Sequence, residues 1–266
     1  MGEENYLEVN KTLWNNKTEI HYNSAFYDNE SFILGKSSLN EIELELLGDL
    51  KGKSILHLQC HFGQDSLSLA RMGASVTAVD LSDKAIAKAK ELSKQINTPC
   101  NFVCTDVYNA PNVINEKFDV IFTSYGTIGW LPDINKWANV VKHFLKPKGS
   151  FIMAEFHPVV WMFDDDFVGI KYRYFNGKPI AEEETGTYAE KGSDLKSEYV
   201  CWNHGLAEVI NSLLKNGLGL EVFKEYDYSP YNAFNKSKKI GENKYQIEPF
   251  GNKLPLVYAF KMINKA

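Results

Sequence analysis

Long apolar runs are absent from this sequence of 266 residues. No stretch approaches the ~20 consecutive apolar residues that a bilayer-spanning helix needs, so we expect no membrane partner. Residues 1–10 are polar and acidic, which is not the pattern of a secretory signal. Both absences favour a cytoplasmic protein.

Cysteine is scarce, and its positions do not suggest a disulfide framework. The chain has four cysteines, Cys60, Cys100, Cys104 and Cys201, with none of the regular spacing of small disulfide-rich domains. We therefore expect reduced thiols. Neither the pair Cys60–His61 nor the pair Cys201–His204 has a second matched pair, so no metal site is predicted.

Basic residues are too few to dominate the charge. The chain has 29 Lys and Arg against 34 Asp and Glu, which gives a formal net charge of -5. Affinity for nucleic acid depends on Lys and Arg that neutralise phosphates, so the acid excess argues against a nucleic-acid partner. The length is sufficient for one large domain with a substantial core.

From Lys53 to Glu155 the sequence alternates short apolar runs with amphipathic helices. Five strands are predicted, at Ser54–Leu58, Ser75–Val79, Asn101–Cys104, Phe118–Thr123 and Ser150–Glu155. Ser82 and Asp133 are predicted to cap the helices that follow the second and fourth strands. Near-continuous apolar strands separated by helices indicate a doubly wound α/β fold with a parallel sheet covered on both faces.

The pattern changes after the fifth strand. Residues 159–202 are rich in aromatic and charged side chains, and the alternating run Lys171–Tyr174 leads into Asn176-Gly177. An Asn-Gly pair after such a run favours a β-hairpin, so we predict an inserted antiparallel region. A helix at Gly205–Lys215 and two strands, Leu220–Tyr226 and Leu254–Met262, are predicted to complete the chain.

We expect a single domain with three parts. The Rossmann-like core is predicted at 51–158 and 203–266, an N-terminal helical cap at 1–50, and an inserted lid or substrate region at 159–202. Ligands of doubly wound sheets bind at the carboxyl ends of the strands, so the candidate site residues are sought there.

Two carboxylates follow predicted strands at this edge. Asp80 ends the second strand, 17 positions after Gly63, and Asp106 follows the third strand. An acid in the first position can accept hydrogen bonds from both ribose hydroxyls. A carboxylate in the second position can accept one from an exocyclic adenine amine.

This arrangement resembles the class I S-adenosylmethionine-dependent methyltransferases. Asp80 and Asp106 match that family's two acids, and Leu145–Gly149 matches the turn before its fifth strand. The segments His57–Gly63, Tyr125–Pro132 and Glu155–Pro158 look like a bacterial subgroup. The resemblance implies a seven-stranded sheet with an antiparallel last strand, and S-adenosyl-L-methionine as cofactor. It implies a cofactor site formed by Gln59, Cys60, His61, Gly63, Asp80, Leu81, Asp106, Val107 and Ser124.

The first loop departs from the family's acid-x-Gly-x-Gly-x-Gly pattern. His57 replaces the acid, Gln59 and His61 replace two glycines, and Gly63 alone keeps its type. Glycine serves where the φ angle is positive or where backbone approaches a ligand closely. Our hypothesis is that Gln59, Cys60 and His61 still surround the methionine part of the cofactor through their backbone groups.

Methyl transfer needs an aligned acceptor and, for some acceptors, a base. His157 follows the fifth strand at the mouth of the expected cleft and is the first candidate base, with Tyr125 and His204 as alternatives. Outside the core repeat, aromatic residues are predicted to form a mostly apolar cavity for a small-molecule acceptor. The substrate-binding candidates are Trp14, Phe26, Trp130, Trp161 and His204.

Two alternative functions stay open at this point. A nicotinamide-dependent oxidoreductase could use a similar sheet, although Gln59 and His61 occupy the places where its pyrophosphate loop needs glycine. A cofactor-binding protein that has lost its catalytic activity would also fit. The acceptor and the oligomeric state are not specified by the sequence.

Overall fold

The computed structural model describes residues 5–266 and contains eight α-helices and eleven β-strands within that range. The helices are α1 (Tyr6–Tyr22), α2 (Asn29–Ile33), α3 (Glu41–Leu47), α4 (Gln64–Arg71), α5 (Asp83–Gln95), α6 (Ala110–Val113), α7 (Ile134–Phe144) and α8 (Leu206–Lys215). The strands are β1 (Ser54–Leu58), β2 (Ser75–Asp80), β3 (Asn101–Cys104), β4 (Phe118–Ser124), β5 (Leu145–Phe156), β6 (Ile180–Thr185), β7 (Lys196–Cys201), β8 (Leu218–Tyr226), β9 (Ser237–Gly241), β10 (Lys244–Ile247) and β11 (Val257–Asn264).

Seven strands form one sheet in the order β3-β2-β1-β4-β5-β11-β8. The pairs β1–β2, β2–β3, β1–β4 and β4–β5 are parallel, whereas β11 is antiparallel to both β5 and β8. The chain order reverses at β1, which pairs with both β2 and β4. The predicted fold class, a mostly parallel seven-stranded sheet with an antiparallel last strand, is confirmed. The ligand crevice of such a sheet lies beyond the carboxyl ends of β1 and β4.

The two faces of the sheet contribute to separate cores. Along β4, Ile121 packs in the cluster with Trp137 of α7, while Val120 and Phe122 pack in the cluster with Leu46 of α3. This alternation follows from the two-residue period of a strand. Because both faces are covered, the strands are apolar nearly throughout, as the sequence predicted.

Helix caps hold the ends of the two helices for which they were predicted. The hydroxyl of Ser82 accepts a hydrogen bond from the backbone N–H of Ala85 at 3.0 Å, and the carboxylate of Asp133 accepts one from Lys136 at 2.9 Å. Both interactions satisfy backbone donors that lack a partner inside the helix. The start of α5 therefore follows directly on β2, and Asp80 remains at the strand end.

The inserted hairpin is present, but its turn is not at Asn176-Gly177. Strands β6 and β7 pair antiparallel from Ile180↔Cys201 to Thr185↔Lys196, and residues 171–179 form irregular bends before them. Tyr172 from the bends donates to Glu182 of β6 at 2.7 Å, so this segment packs across the hairpin instead of pairing with it. A second hairpin, β9–β10, and the short helix α2 were not predicted.

The N-terminal helix lies against the inserted hairpin. The side-chain amide of Asn10 donates to the carbonyl of Val200 at 2.8 Å and accepts from its N–H at 3.0 Å. These two hydrogen bonds attach α1 to the edge of β7 that does not pair with β6. Lys17, also on α1, forms an ion pair with Glu184 of β6. The predicted division into cap, core and lid stays a prediction. Within residues 5–266, no helix has both the length and the apolar character that crossing a bilayer requires.

Candidate active site

A large cavity, of about 1290 Å³, lies over the carboxyl ends of the parallel strands. Its floor is formed by the loops after β1, β2, β3 and β4, and its walls by residues of the N-terminal segment and of the β6–β7 region. Small-molecule sites usually measure ~300–1,000 Å³. The cavity therefore has space for a nucleoside cofactor together with a second small molecule.

The loop after β1 has a left-handed backbone at three alternate positions. The φ angles are 56° at Gln59, 51° at His61 and 81° at Gly63. These are the positions that resemble the family's three glycines, so the glycine-type backbone persists although two side chains have been added. A left-handed conformation costs a non-glycine residue about 1–2 kcal/mol, so other contacts must offset it.

Both added side chains are held by neighbouring elements. The Gln59 amide nitrogen donates to the carbonyl of Thr127 at 2.8 Å, which joins the loop after β1 to the loop after β4. The His61 ring nitrogen Nε2 lies 3.1 Å from Nδ1 of His21 on α1. His57, at the position of the family's acid, bonds to Ser66 of α4 at 2.7 Å.

Gly63 approaches the core closely. A Cβ atom at this position would lie 2.6 Å from a ring carbon of Phe102 and 3.2 Å from the Ala89 methyl group. Gly52 provides a matched comparison because its φ angle, 75°, is similar and a Cβ atom there would have no neighbour within 4 Å.

We expect Gly63→Ala to lower the free energy of unfolding by about 2–4 kcal/mol, since it adds a steric clash to the cost of a left-handed alanine. Gly52→Ala carries the left-handed cost alone, about 1–2 kcal/mol. Urea denaturation of both variants measures the difference. Equal losses in the two variants would show that the contact with Phe102 is not tight.

The carboxylate of Asp80 is oriented by backbone groups at the end of β2. Oδ2 accepts from the N–H of His61 at 2.7 Å, and Oδ1 accepts from the N–H of Ser82 at 2.8 Å. Burial raises the pKa of Asp80 to about 6, although these N–H groups act in the opposite direction. Each carboxylate oxygen has a second lone pair, so both can still accept a hydrogen bond from a ligand.

Asp106 lies next to Asp80 along the same edge. The N–H of Thr105 donates to the carbonyl of Asp80 at 2.9 Å, and Oδ1 of Asp106 accepts from the N–H of Tyr108 at 2.8 Å. Leu81 and Val107 line the cavity beside the two acids. Two carboxylates and two apolar side chains are thus placed where a nucleoside with a flat base could bind.

Glu155 orients the loop after β4, a role that the sequence patterns did not predict. Its buried carboxylate accepts from the backbone N–H groups of Gly126, Thr127 and Phe156, the last two at 2.8 and 2.7 Å. Burial raises the pKa of Glu155, and these donors lower it. A carboxylate at the end of an apolar strand was the available sequence signal.

Tyr125 and Ser124 connect the cavity wall to two acids. The Tyr125 hydroxyl donates to Glu43 Oε2 at 2.9 Å, and Ser124 donates to Asp65 Oδ2 at 2.9 Å. Burial, with a contribution from the charge of Asp65, raises the pKa of Glu43 to about 7. Glu43 lies in the first turn of α3, three residues after Asn40, and this capping spacing was the only sequence signal for it.

His157 requires a correction, because it does not line the cavity. Its Nε2 lies 3.0 Å from Glu225 of β8, and its Nδ1 accepts from the N–H of Val159 at 3.2 Å. Burial lowers the pKa of His157, and Glu225 acts against this shift. The ring is therefore committed to the turn after β5, and we do not propose His157 as the base.

His204 lines the cavity but has both ring nitrogens occupied. Nε2 lies 2.8 Å from the carbonyl of Leu131, and Nδ1 lies 3.1 Å from Glu208 of α8. The ring joins the loop after β4 to the first turn of α8. His204 can therefore contribute surface to a substrate site, but both of its ring nitrogens are already bonded within the protein.

The predicted aromatic residues all line the cavity, in separate groups. Trp14 and Trp130 meet edge to face, with ring centroids 5.3 Å apart, and the indole N–H of Trp130 donates to the carbonyl of Gly126 at 2.7 Å. Phe26 stacks on Tyr231 at 5.6 Å. Trp161 contacts Phe234 and is 41% exposed, so it lies at the rim.

The His21–His61 contact makes the attachment of α1 sensitive to pH. Burial lowers the pKa of His21 to about 2 and that of His61 to about 3, with the charge of Lys17 as a smaller cause for both. Both rings are neutral in the folded protein at neutral pH. Since their unfolded pKa is ~6.5, they stabilise the fold above this pH, and that stabilisation is lost as the pH falls below it.

We expect lowering the pH from 7.5 to 5.0 to destabilise the wild-type protein by about 2 kcal/mol more than the His21→Phe variant, which has one such histidine fewer. Phenylalanine keeps the stacking on Tyr27. Asp80 and Glu43, whose raised pKa values act in the opposite direction, are common to both proteins and cancel in the comparison. Urea denaturation at both pH values measures the difference, and an identical pH dependence would contradict the account.

The site fits a nucleoside cofactor with a charged amino-acid tail. Asp80 and Asp106 offer acceptors for hydroxyl and amine groups, and the buried side-chain oxygen of Gln59 has no hydrogen-bond partner in the described chain. Cys60, in the same loop, is buried, and burial raises the pKa of its thiol well above its ordinary value. Residues 5–266 contain no cluster of His, Cys, Asp or Glu that could hold a metal ion.

The sheet order, the left-handed loop and the two strand-end carboxylates define the fold of class I S-adenosylmethionine-dependent methyltransferases. Residues 55–149 match the family described as the methyltransferase domain. This match confirms the resemblance seen in the sequence.

Similar proteins agree with this assignment. An uncharacterized methyltransferase of Synechocystis is 32% identical over 131 residues, which are 48% of this chain and 59% of the relative. Ubiquinone biosynthesis O-methyltransferase of Coxiella burnetii is 29% identical over 152 residues, 54% of this chain and 64% of the relative. The chain thus matches less than two thirds of the length of either protein.

Solved structures extend the likeness to nearly the whole fold. An S-adenosylmethionine-dependent methyltransferase from Clostridium acetobutylicum superposes with a TM-score of 0.59 and covers 97% of this chain and 99% of its own. The sequence identity is 17%, so this likeness concerns the fold.

Proposed function

We propose that the protein transfers a methyl group from S-adenosylmethionine to a small-molecule acceptor. The observation that carries the proposal is the left-handed loop at 59, 61 and 63, which faces the same cavity as Asp80 and Asp106. When bound, the cofactor supplies an activated methyl carbon, and an in-line displacement by the acceptor's lone pair returns the carbon–sulfur electrons to sulfur.

The chain's own residues have separable roles in this proposal. Asp80 accepts hydrogen bonds from the ribose hydroxyls, and Asp106 accepts one from the adenine amine. Leu81 and Val107 pack beside the base. The loop from Gln59 to Gly63, together with Ser124, holds the methionine part.

The acceptor is proposed to bind between the N-terminal cap and the inserted region. Residues 1–50 and 159–202 are the proposed cap and lid, and the substrate-binding residues Trp14, Phe26, Trp130, Trp161 and His204 line the resulting space. Aromatic walls bury apolar surface and exclude water from the transfer. The Coxiella relative is named for ubiquinone biosynthesis, which supports a small-molecule acceptor here.

Tyr125 is the proposed base for an acceptor that must lose a proton. Its hydroxyl donates its own proton to Glu43, so the phenol oxygen has a lone pair for a proton from an acceptor hydroxyl or amine. As Tyr125 takes the acceptor's proton, its own hydroxyl proton passes to the buried carboxylate of Glu43, whose pKa is raised, so the phenol stays neutral. A pH–rate profile of Tyr125→Phe, with an acceptor in hand, tests this role: an unchanged profile removes it.

A thermal-shift comparison of two ligands separates the proposal from the oxidoreductase alternative. At a hundred times its Kd, a ligand adds about 2.7 kcal/mol of stability, which raises the Tm of a protein of this size by about 5–10 °C. We expect this shift with S-adenosylhomocysteine and none with NADH. A shift with NADH alone would overturn the proposal.

Transfer itself distinguishes an enzyme from a protein that only binds the cofactor. Incubation with methyl-labelled S-adenosylmethionine and a small-molecule extract is expected to give labelled acceptor. Binding of S-adenosylhomocysteine without any transfer would favour the non-catalytic alternative.

A further inference from the structure

The side chain of Gln59 has one amide atom bonded and one unpaired. Nε2 donates to the carbonyl of Thr127 at 2.8 Å, whereas Oε1 is buried and has no hydrogen-bond partner within residues 5–266. Buried acceptors without a partner are uncommon in native proteins. Among such atoms of the described chain, Oε1 of Gln59 is the one that belongs to the loop after β1.

The hydrogen bond to the Thr127 carbonyl determines the orientation of this amide. If the amide were rotated by half a turn, its oxygen would face the Thr127 carbonyl, and two acceptors would lie in contact. Thr127 is itself fixed, since its N–H and its hydroxyl both donate to Glu155, at 2.8 and 3.0 Å. The chain of contacts from Glu155 through Thr127 to Gln59 therefore leaves Oε1 as an acceptor held in place before any ligand binds.

Gln59 lines the cavity, so a ligand bound there can supply the missing donor. S-adenosylmethionine has three groups of donors: the ribose hydroxyls, the adenine amine and the α-ammonium group of its methionine part. Asp80 and Asp106 serve the first two at the ends of β2 and β3. The ammonium group remains without an acceptor among these two residues, and the loop after β1 is the element that can provide one.

We infer that Oε1 of Gln59 accepts a hydrogen bond from the α-ammonium group of the cofactor, an inference that rests on the proposed function. The glutamine that replaces a glycine thereby gains a role in recognition. It would select ligands with a charged amine over nucleosides that lack one. A hydrogen bond to a charged donor is among the stronger ones in proteins.

Calorimetry of the full chain with two ligands tests this role. The ligands are S-adenosylhomocysteine and its deaminated analogue, in which hydrogen replaces the ammonium group and the carboxylate is kept. We expect the wild-type protein to bind S-adenosylhomocysteine about tenfold or more tightly than the analogue. In Gln59→Leu this preference should fall to nearly one, while the affinity for the analogue changes little.

One further variant keeps the test independent of folding. Gln95→Leu, an exposed glutamine on α5, makes the same change of residue type away from the cavity and should bind both ligands as the wild type does.

The outcomes separate this inference from the proposed function. If Gln59→Leu weakens both ligands by the same factor, Gln59 acts only through Thr127, and the inference is overturned while the proposed function stands. If the wild-type protein binds neither ligand, the proposed function fails, and the inference fails with it.

Discussion

Asp80→Ala is expected to lower the affinity for S-adenosylhomocysteine by about a hundredfold or more. The substitution removes a charged acceptor for two ribose hydroxyls, each worth about 1.5–3 kcal/mol. It also leaves the N–H groups of His61 and Ser82 without their acceptor, so the loop after β1 loses one of its hydrogen bonds to β2. Isothermal calorimetry at pH 7.5 measures the effect.

The pH dependence of the same binding provides a second measurement. Because the pKa of Asp80 is raised to about 6, its carboxyl group is ionised at pH 7.5 and largely protonated at pH 5. A protonated carboxyl group accepts fewer hydrogen bonds, so the affinity should fall as the pH is lowered through 6. Asp49→Ala, which removes an exposed carboxylate, is the control for the change of charge. Unchanged binding by Asp80→Ala would refute the assignment of this residue.

The second large effect is expected at Glu155, in stability. Glu155→Ala leaves the N–H groups of Gly126, Thr127 and Phe156 without an acceptor inside the protein. Each buried donor left unpaired costs about 1–3 kcal/mol, so we expect the free energy of unfolding to fall by about 3–5 kcal/mol. Urea denaturation followed by circular dichroism measures the loss.

Two variants make the Glu155 result specific. Glu155→Gln keeps one side-chain oxygen and should lose about half as much stability. Glu198→Ala, on the exposed face of β7, should change stability by less than about 0.5 kcal/mol. A loss of the same size in Glu198→Ala and Glu155→Ala would show that the loop after β4 does not depend on this carboxylate.

The core of the fold could be predicted because it depends on local patterns. Apolar runs such as Phe118–Thr123 and caps such as Ser82 are properties of a few adjacent residues, and their spacing implies a parallel sheet. The place of the inserted hairpin could not be obtained in this way. The signal at Asn176-Gly177 is local, whereas the β6–β7 hairpin packs against α1, which is far away in the sequence.

The candidate site likewise contains residues that local patterns predict and residues whose roles depend on contacts distant in the sequence. Asp80 and Asp106 follow from their positions at strand ends, which any doubly wound sheet brings to one edge. His157 also follows a strand, but its ring turns toward Glu225 on β8, a contact between residues 68 positions apart. The sequence patterns did not identify His21 and Glu43. Both lie on helices of the N-terminal segment, and the rule that ligands bind at the carboxyl ends of strands does not apply to helices.

The loop after β1 shows why a departure from a family pattern need not mean a different backbone. Gln59 and His61 occupy glycine positions, yet their φ angles remain positive. Their side chains are anchored at Thr127 and His21, and these partners could not be inferred from the loop sequence alone.

The most direct test of the central claim is a crystal structure with S-adenosylhomocysteine. We predict that the ribose hydroxyls will lie within hydrogen-bonding distance of the Asp80 carboxylate, the adenine beside Asp106, and the homocysteine part against the loop from Gln59 to Gly63. A nucleoside bound elsewhere on the protein, with Asp80 still bonded only to His61 and Ser82, would contradict the account.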